Sequence, residues 1–182
     1  MNTSAQRIRN PRPARRHLAA VPSDQSTVTS LEVVDLENLL APLHGRDRTS
    51  LVSAASWVMT LIDGCTSHRI GVVAANGLLC ATVAWDLPKQ MRLLAVPPGS
   101  DSADRALTRY VDSHPVDPDI TVIYSGDHHF VELARQARFA WVIAGTDRLS
   151  SQLAAAADVI TTIDITARRA LTRTATPAAV AA

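Results

Sequence analysis

Residues 119–135 read DITVIYSGDHHFVELAR. An apolar run, Ile120 to Tyr124, stops at Ser125-Gly126-Asp127 and gives way to Phe130, Leu133, Ala134 and Ala137, which share one helical stripe over 129–138. That is a strand leaving a sheet through a tight turn into a helix. The same unit recurs in both directions. Short apolar runs fit buried strands at 31–35 (LEVVD), 69–75 (RIGVVAA), 91–96 (MRLLAV), 119–124, 140–144 (AWVIA) and 159–164 (VITTID). Between them, Leu51, Ala54, Ala55, Val58, Leu61 and Ile62 form one stripe over 47–63, and Ala103, Ala106, Leu107, Tyr110 and Val111 another over 102–112. Weaker helices are expected at 77–85 and 149–157. Strict alternation of strand and helix predicts a three-layer α/β domain around a mainly parallel sheet.

The chain has 182 residues, enough for one domain with tails. Its 47% hydrophobic and 19% charged residues supply a core and exclude overall disorder. Basic and acidic residues nearly balance, but not evenly along the chain. Arg7, Arg9, Arg12, Arg15 and Arg16 precede the first acid, Asp24, and Arg168, Arg169 and Arg173 follow the last, Asp164. The segment Leu31 to Ile165 thus holds 10 basic against 16 acidic residues, near −6, between basic ends. Residues 1–28 read as a disordered Arg-rich arm, 29–165 as the folded domain, and 166–182 as an Ala/Thr-rich tail that extends a last helix or frays.

The two cysteines, Cys65 and Cys80, sit in apolar settings without CxxC spacing and read as buried thiols. No signal peptide or membrane span is visible, so a cytoplasmic protein is expected. The one lysine, Lys89, excludes a GxxxxGK phosphate loop.

In an open parallel sheet, ligands bind beyond the carboxyl ends of the strands, which makes the strand-closing residues the ones to examine. Asp35 closes the first strand behind Val33 and Val34, where an unpaired charge costs several kcal/mol; capping explains it poorly. Asn38, three residues on, points the same way in a helical turn, whereas Glu37 reads as solvated. Asp101 and Asp104 enter the helix over 102–112. Asp101 has the position and spacing of a capping residue, while Asp104 borders the buried stripe of Leu107 and Val111. Asp127 fits an N-cap as well as a ligand, and His128 and His129 fit exposed helix-start residues as well as functional ones. If Asp35, Asp104 and Asp127 converge, their repulsion requires a cation, and hard carboxylate oxygens suit Mg2+ or Mn2+. Such an ion binds a phosphate oxygen, lowers the pKa of a water and steadies a leaving oxygen.

The order of VVDLENL (33–39), the Gly-x-Asp-x-Ala-Asp-x-x-Leu segment (99–107), IYSGDHHFVELAR (123–135), WVIAG (141–145) and LSSQLAAAADVITTID (149–164) resembles the NYN domains of the PIN-like nuclease superfamily over about residues 31–165. The resemblance implies a Rossmann-like PIN fold and metal-dependent RNA cleavage, with Asp35, Asn38, Asp104 and Asp127 as catalytic positions and the three aspartates as metal ligands. Family members commonly read SGDxDF at the turn. Here His129 replaces the second acid, removing a negative charge. Asp158 matches an acid often seen before the last strand and reads as structural.

Single-stranded RNA is the expected partner, its backbone held by Arg105 and Arg109 beside the site, with further phosphate contacts from the arginine arm. Seven aromatics, most on apolar faces, leave no visible stacking platform. The rival reading is an NYN-like RNA-binding module whose chemistry is weak or lost at His129. A phosphoacceptor domain built on Asp35 is a third, against which stands the lack of a lysine near the end of the fifth strand.

Overall fold

Val33 and Val34 are neighbours on one strand, and both are buried because they face opposite sides of a covered sheet. A computed structural model describes residues 28–63, 68–99 and 101–174. In it, strands β1 (Thr29–Asp35), β2 (His68–Asn76), β3 (Met91–Val96), β4 (Ile120–Tyr124), β5 (Ala140–Gly145), β6 (Val159–Asp164) and β7 (Arg169–Thr174) form one sheet in the order β3-β2-β1-β4-β5-β6-β7. The first six strands run parallel, and β7 pairs antiparallel with β6.

Among the described residues, six α-helices cover the two faces: α1 (Leu36–Leu40), α2 (Arg48–Asp63), α3 (Gly77–Val83), α4 (Ser102–Ser113), α5 (Val131–Gln136) and α6 (Ser151–Ala156). One core layer joins Val34, Val73 and Tyr124 to Leu36, Leu40, Val58, Ile62 and Leu79 from α1, α2 and α3. The other joins Val33, Val72, Ile123 and Val142 to Leu107, Ala134 and Leu153 from α4, α5 and α6. Period-two alternation along β1 assigns its residues to the two layers, so Glu32 goes with Val34 and Asp35 with Val33. Fully buried Leu107 contributes about 2 kcal/mol of apolar burial and fixes α4 against the sheet, one turn beyond Asp104.

All six strands read from the sequence are present, as are the five helices, although the 129–138 segment begins as a 3-10 turn at His128–Phe130 before α5. The tail expectation over 166–182 is corrected: the chain turns at 165–168 and returns as β7, with residues 175–182 outside the described set. In the turn the Asp164 carboxylate accepts the Thr166 and Ala167 N–H groups at 3.0 and 2.9 Å, and Arg168 takes the left-handed backbone, φ +52°, that a glycine would adopt more readily. Except for Val28, the arginine arm lies outside the described residues, as does Cys65; Cys80 is buried and its thiol donates to the Ala75 carbonyl. No helix among the described residues is long and apolar enough to cross a membrane.

The order of strands reverses between β1 and β4. β2 and β3 extend to one side of β1, while β4, β5 and β6 extend to the other. Helices consequently depart to opposite faces from neighbouring strand ends, opening a crevice there. Val34 pairs with Tyr124 across it, which puts Asp35 beside Ser125 and brings the two acid-bearing exits together.

Candidate metal centre

Asp35 is 5% exposed at the end of β1. Its Oδ1 accepts the Asn38 N–H at 3.0 Å, and its Oδ2 accepts the Ser125 hydroxyl at 3.4 Å. Asp35 therefore does cap α1, contrary to the expectation that capping fits it poorly. The cap does not offset the surroundings. Burial, with the Asp104 carboxyl alongside, pushes its pKa up to about 7 despite the Asn38 amide.

Asp104 is the deeper anomaly. It is 7% exposed, and its Oδ1 is buried with no hydrogen-bond partner. Burial and then the negative charge of Asp127 raise its pKa. Its Oδ2 lies 3.8 Å from His129 Nδ1. An acid held in a packed helix by Leu107, hydrogen-bonded to the Asp35 carboxyl and with Oδ1 lacking any donor, has the chemistry of a cation ligand.

At the other exit, Asp127 caps the 3-10 turn. Its Oδ1 accepts the His129 N–H at 3.0 Å and also meets His129 Nδ1 at 2.8 Å and His128 Nδ1 at 2.9 Å. Partial burial opposes its charge, but the His129 N–H and the two imidazoles outweigh it and hold the carboxyl below its ordinary value. The contact with Asp127 correspondingly raises the His129 pKa. Asp35 and Asp127 are joined through Ser125 and Asp104, not by a shared hydrogen bond: Ser125 Oγ donates to Asp35 and accepts the Asp127 N–H at 3.2 Å.

Asn38 does not aim its carbonyl at the acids. Its Oδ1 accepts the Gly126 N–H at 3.0 Å and locks the Ser-Gly-Asp turn to α1. Gly126 itself is required by close approach. A Cβ there would lie 2.2 Å from the Arg148 carbonyl oxygen, and the Gly126 carbonyl accepts the Ser150 N–H at 2.8 Å.

Two further expectations are corrected. Asp101 stands at the N-cap of α4 with φ +57° and makes no capping bond through its side chain; it is exposed near Asp104 and His129. Glu37 is not solvated: its Oε1 accepts the Asn76 N–H at 2.8 Å and ties α1 to the end of β2. Asp158 is structural as read, accepting the Ala140 N–H at 2.8 Å. Arg105 and Arg109 lie exposed on α4.

A groove of about 740 Å3 runs alongside, beyond the ends of β4, β5 and β6. Asn38 and Asp127 line it together with Thr146, Arg148, Ser150 and Thr166; Asp35 and Asp104 stand outside its lining. Arg148 and Ser150 were not singled out from the sequence. The strand-exit rule applied to Gly145-Thr-Asp-Arg-Leu-Ser150 points to them.

The donor atoms that lie together suit a divalent cation: Asp104, with its stranded buried oxygen, and Asp127 each lie close to imidazole nitrogen, whereas Asp35 belongs to neither close group. Asp127, His128 and His129 each present a ligand atom within 4.8 Å of the others', as do Asp101, Asp104 and His129.

No protein-family model matches the chain, and no curated protein matches it. Its structure is similar to the crystal structure of a protein of unknown function, VPA0982, from Vibrio parahaemolyticus, with a TM-score of 0.55 and 16% sequence identity, over 78% of this chain and 96% of that one. The likeness shows the fold alone, which in this chain is an α/β domain with a seven-stranded, mostly parallel sheet flanked by helices.

Proposed function

We propose that this protein is a metal-dependent ribonuclease of the PIN-like class, with the NYN arrangement of acids. One observation carries the reading: Asp104 Oδ1, buried and without a partner, at the crevice where Asp35 and Asp127 also end. Asp35, Asp104 and Asp127 would hold a divalent ion, which their oxygens alone would make Mg2+ or Mn2+. When bound, the ion supplies Lewis-acid polarisation of a phosphate oxygen and a water acidic enough to attack phosphorus.

The chain's own residues do the rest. Ser125 and the Asn38 amide orient Asp35, while Asn38 and the Ser150 N–H fix the Ser-Gly-Asp turn that presents Asp127. The groove admits a single strand past Asp127. Arg148 in its wall and Arg105 and Arg109 on α4 give the backbone cationic contacts on an otherwise acidic domain. Hydrolysis balances simply: water adds to phosphorus, one P–O bond breaks, and the departing oxygen takes a proton.

The test is cleavage of labelled single-stranded RNA with Mn2+, Mg2+ or EDTA, beside Asp35→Asn and Asp127→Asn. Cleavage dependent on the ion and lost in both folded variants supports the reading; cleavage that survives EDTA or both variants overturns it. A second reading, an RNA-binding module of weak or absent activity, is favoured by the 2.8 Å contact between His129 Nδ1 and the Asp127 carboxylate, at the place where a second acid would stand. It would retain RNA affinity without cleavage, and His129→Asp would restore activity.

A further inference from the structure

We infer that His128 and His129 are metal ligands, so that the centre takes a borderline transition ion of the Zn2+ type in preference to Mg2+. This rests on the reading of the aspartates as a cation site and names the ion they hold.

The side chains of His128 and His129 are 66% and 42% exposed, so packing does not dictate their positions. Two solvated histidines opening a helix would ordinarily spread into water. Here both turn their Nδ1 atoms onto one oxygen, Asp127 Oδ1, at 2.9 and 2.8 Å, with ring centroids 4.6 Å apart. His129 Nδ1 is also 3.8 Å from Asp104 Oδ2, and His129 belongs to both groups of close donor atoms. Atoms that bind one ion at about 2.0–2.2 Å stand roughly 3–3.5 Å from each other, a spacing that these contacts bracket.

An independent feature points to an ion. Asp104, more than nine-tenths buried, keeps Oδ1 without any donor while its Oδ2 lies 3.8 Å from His129 Nδ1. The chemistry of the set then selects the ion. Mg2+ demands an octahedron of oxygens and retains its waters, whereas imidazole nitrogen suits Zn2+ and its neighbours in the first transition row. An acid at position 129 would give an all-oxygen site; a histidine there exchanges charge for a softer donor.

The experiment uses EDTA-stripped, re-dialysed full-length protein titrated with Zn2+ and Mg2+ by calorimetry, with 15N-histidine NMR as a second readout. Zn2+ is expected to bind one ion per chain and shift the Nδ1 signals of His128 and His129, and a hundredfold excess of Mg2+ should not displace it. His129→Asp should lower Zn2+ affinity about 10- to 100-fold without weakening Mg2+ binding. His114→Ala, away from the site, should change neither. Zn2+ affinity unaltered in the His128→Ala/His129→Ala double variant, or Mg2+ competing on equal terms, overturns the inference and leaves the nuclease reading standing. Zn2+ bound as described with no RNA cut under any ion overturns the nuclease reading alone. Absence of any divalent binding overturns both.

Discussion

Two buried acids three residues apart on β1 have opposite fates. Glu32 is fully buried on the α2 side, and its carboxylate has Arg69 at 4.0 Å and the Tyr124 hydroxyl at 3.5 Å. Asp35, on the α4 side, has Asp104 for a neighbour, and behind it Asp127. One site carries its own cation; the other collects anions. A buried charge is tolerated where the fold supplies its counter-charge, so the strand end lacks what the strand middle possesses. The difference separates a structural ion pair from the site that we propose receives a cation.

The comparison can be broken most severely at Arg69. Arg69→Met leaves Glu32 uncompensated and also removes the bond from Arg69 to the Ile62 carbonyl at the end of α2. It should destabilise the protein by about 3–5 kcal/mol in urea unfolding. Asp35→Asn deletes a charge three residues away and should do the reverse, stabilising the EDTA-treated protein at pH 8 by a few kcal/mol, because Asn keeps the oxygen that caps α1 and relieves the repulsion. Destabilisation at pH 8 would contradict the contrast.

The pH dependence sharpens it. The Asp35 carboxyl goes from 3.8 unfolded to about 7 folded, so its contribution is fully present below pH 4 and is lost as pH rises through 7. Asp104 has the same sign, while Asp127, lowered, contributes above its unfolded pKa and loses that as pH falls. Between pH 5 and 8 the metal-free Tm should therefore fall, and Asp35→Asn should flatten the slope. A divalent ion should recover most of the loss at pH 8.

Smaller effects test the frame around the acids. Gly126→Ala drives a methyl into the Arg148 carbonyl and should cost about 1–3 kcal/mol, measured by denaturation, while weakening divalent binding through displacement of Asp127. Arg148→Ala should weaken RNA binding about tenfold or less, evenly across sequences, and reduce the salt slope by about 1.

Much of the frame was legible because the inner strands β1, β2, β4 and β5 are covered on both faces and the helices on one. Runs such as LEVVD and the stripe of Leu51 to Ile62 therefore carry undiluted period signals. β7 carried none. All six of its residues are exposed, so RALTRT alternates arginine, leucine and threonine with no buried side to bias them. At the site, Asp35, Asp104 and Asp127 stood out by their places at strand ends and a helix entry. Their fine structure depends on partners about 90 residues away, such as Ser125 on Asp35 and Gly126 on Asn38, which local spacing does not encode. The caps misled for a related reason: Asp101 was read from sequence position, yet its left-handed backbone directs the side chain away from the amides it would cap.

The most direct measurement is anomalous diffraction from crystals of the EDTA-stripped protein soaked in Mn2+, with Asp104→Asn soaked identically. An ion about 2.2 Å from Asp104 Oδ1, bridging toward Asp35 or Asp127 and absent from the variant, is the expected result. An intact Asp35–Asp104 pair without an ion, manganese having settled elsewhere or nowhere, would contradict the claim that this strand end is built to receive a cation.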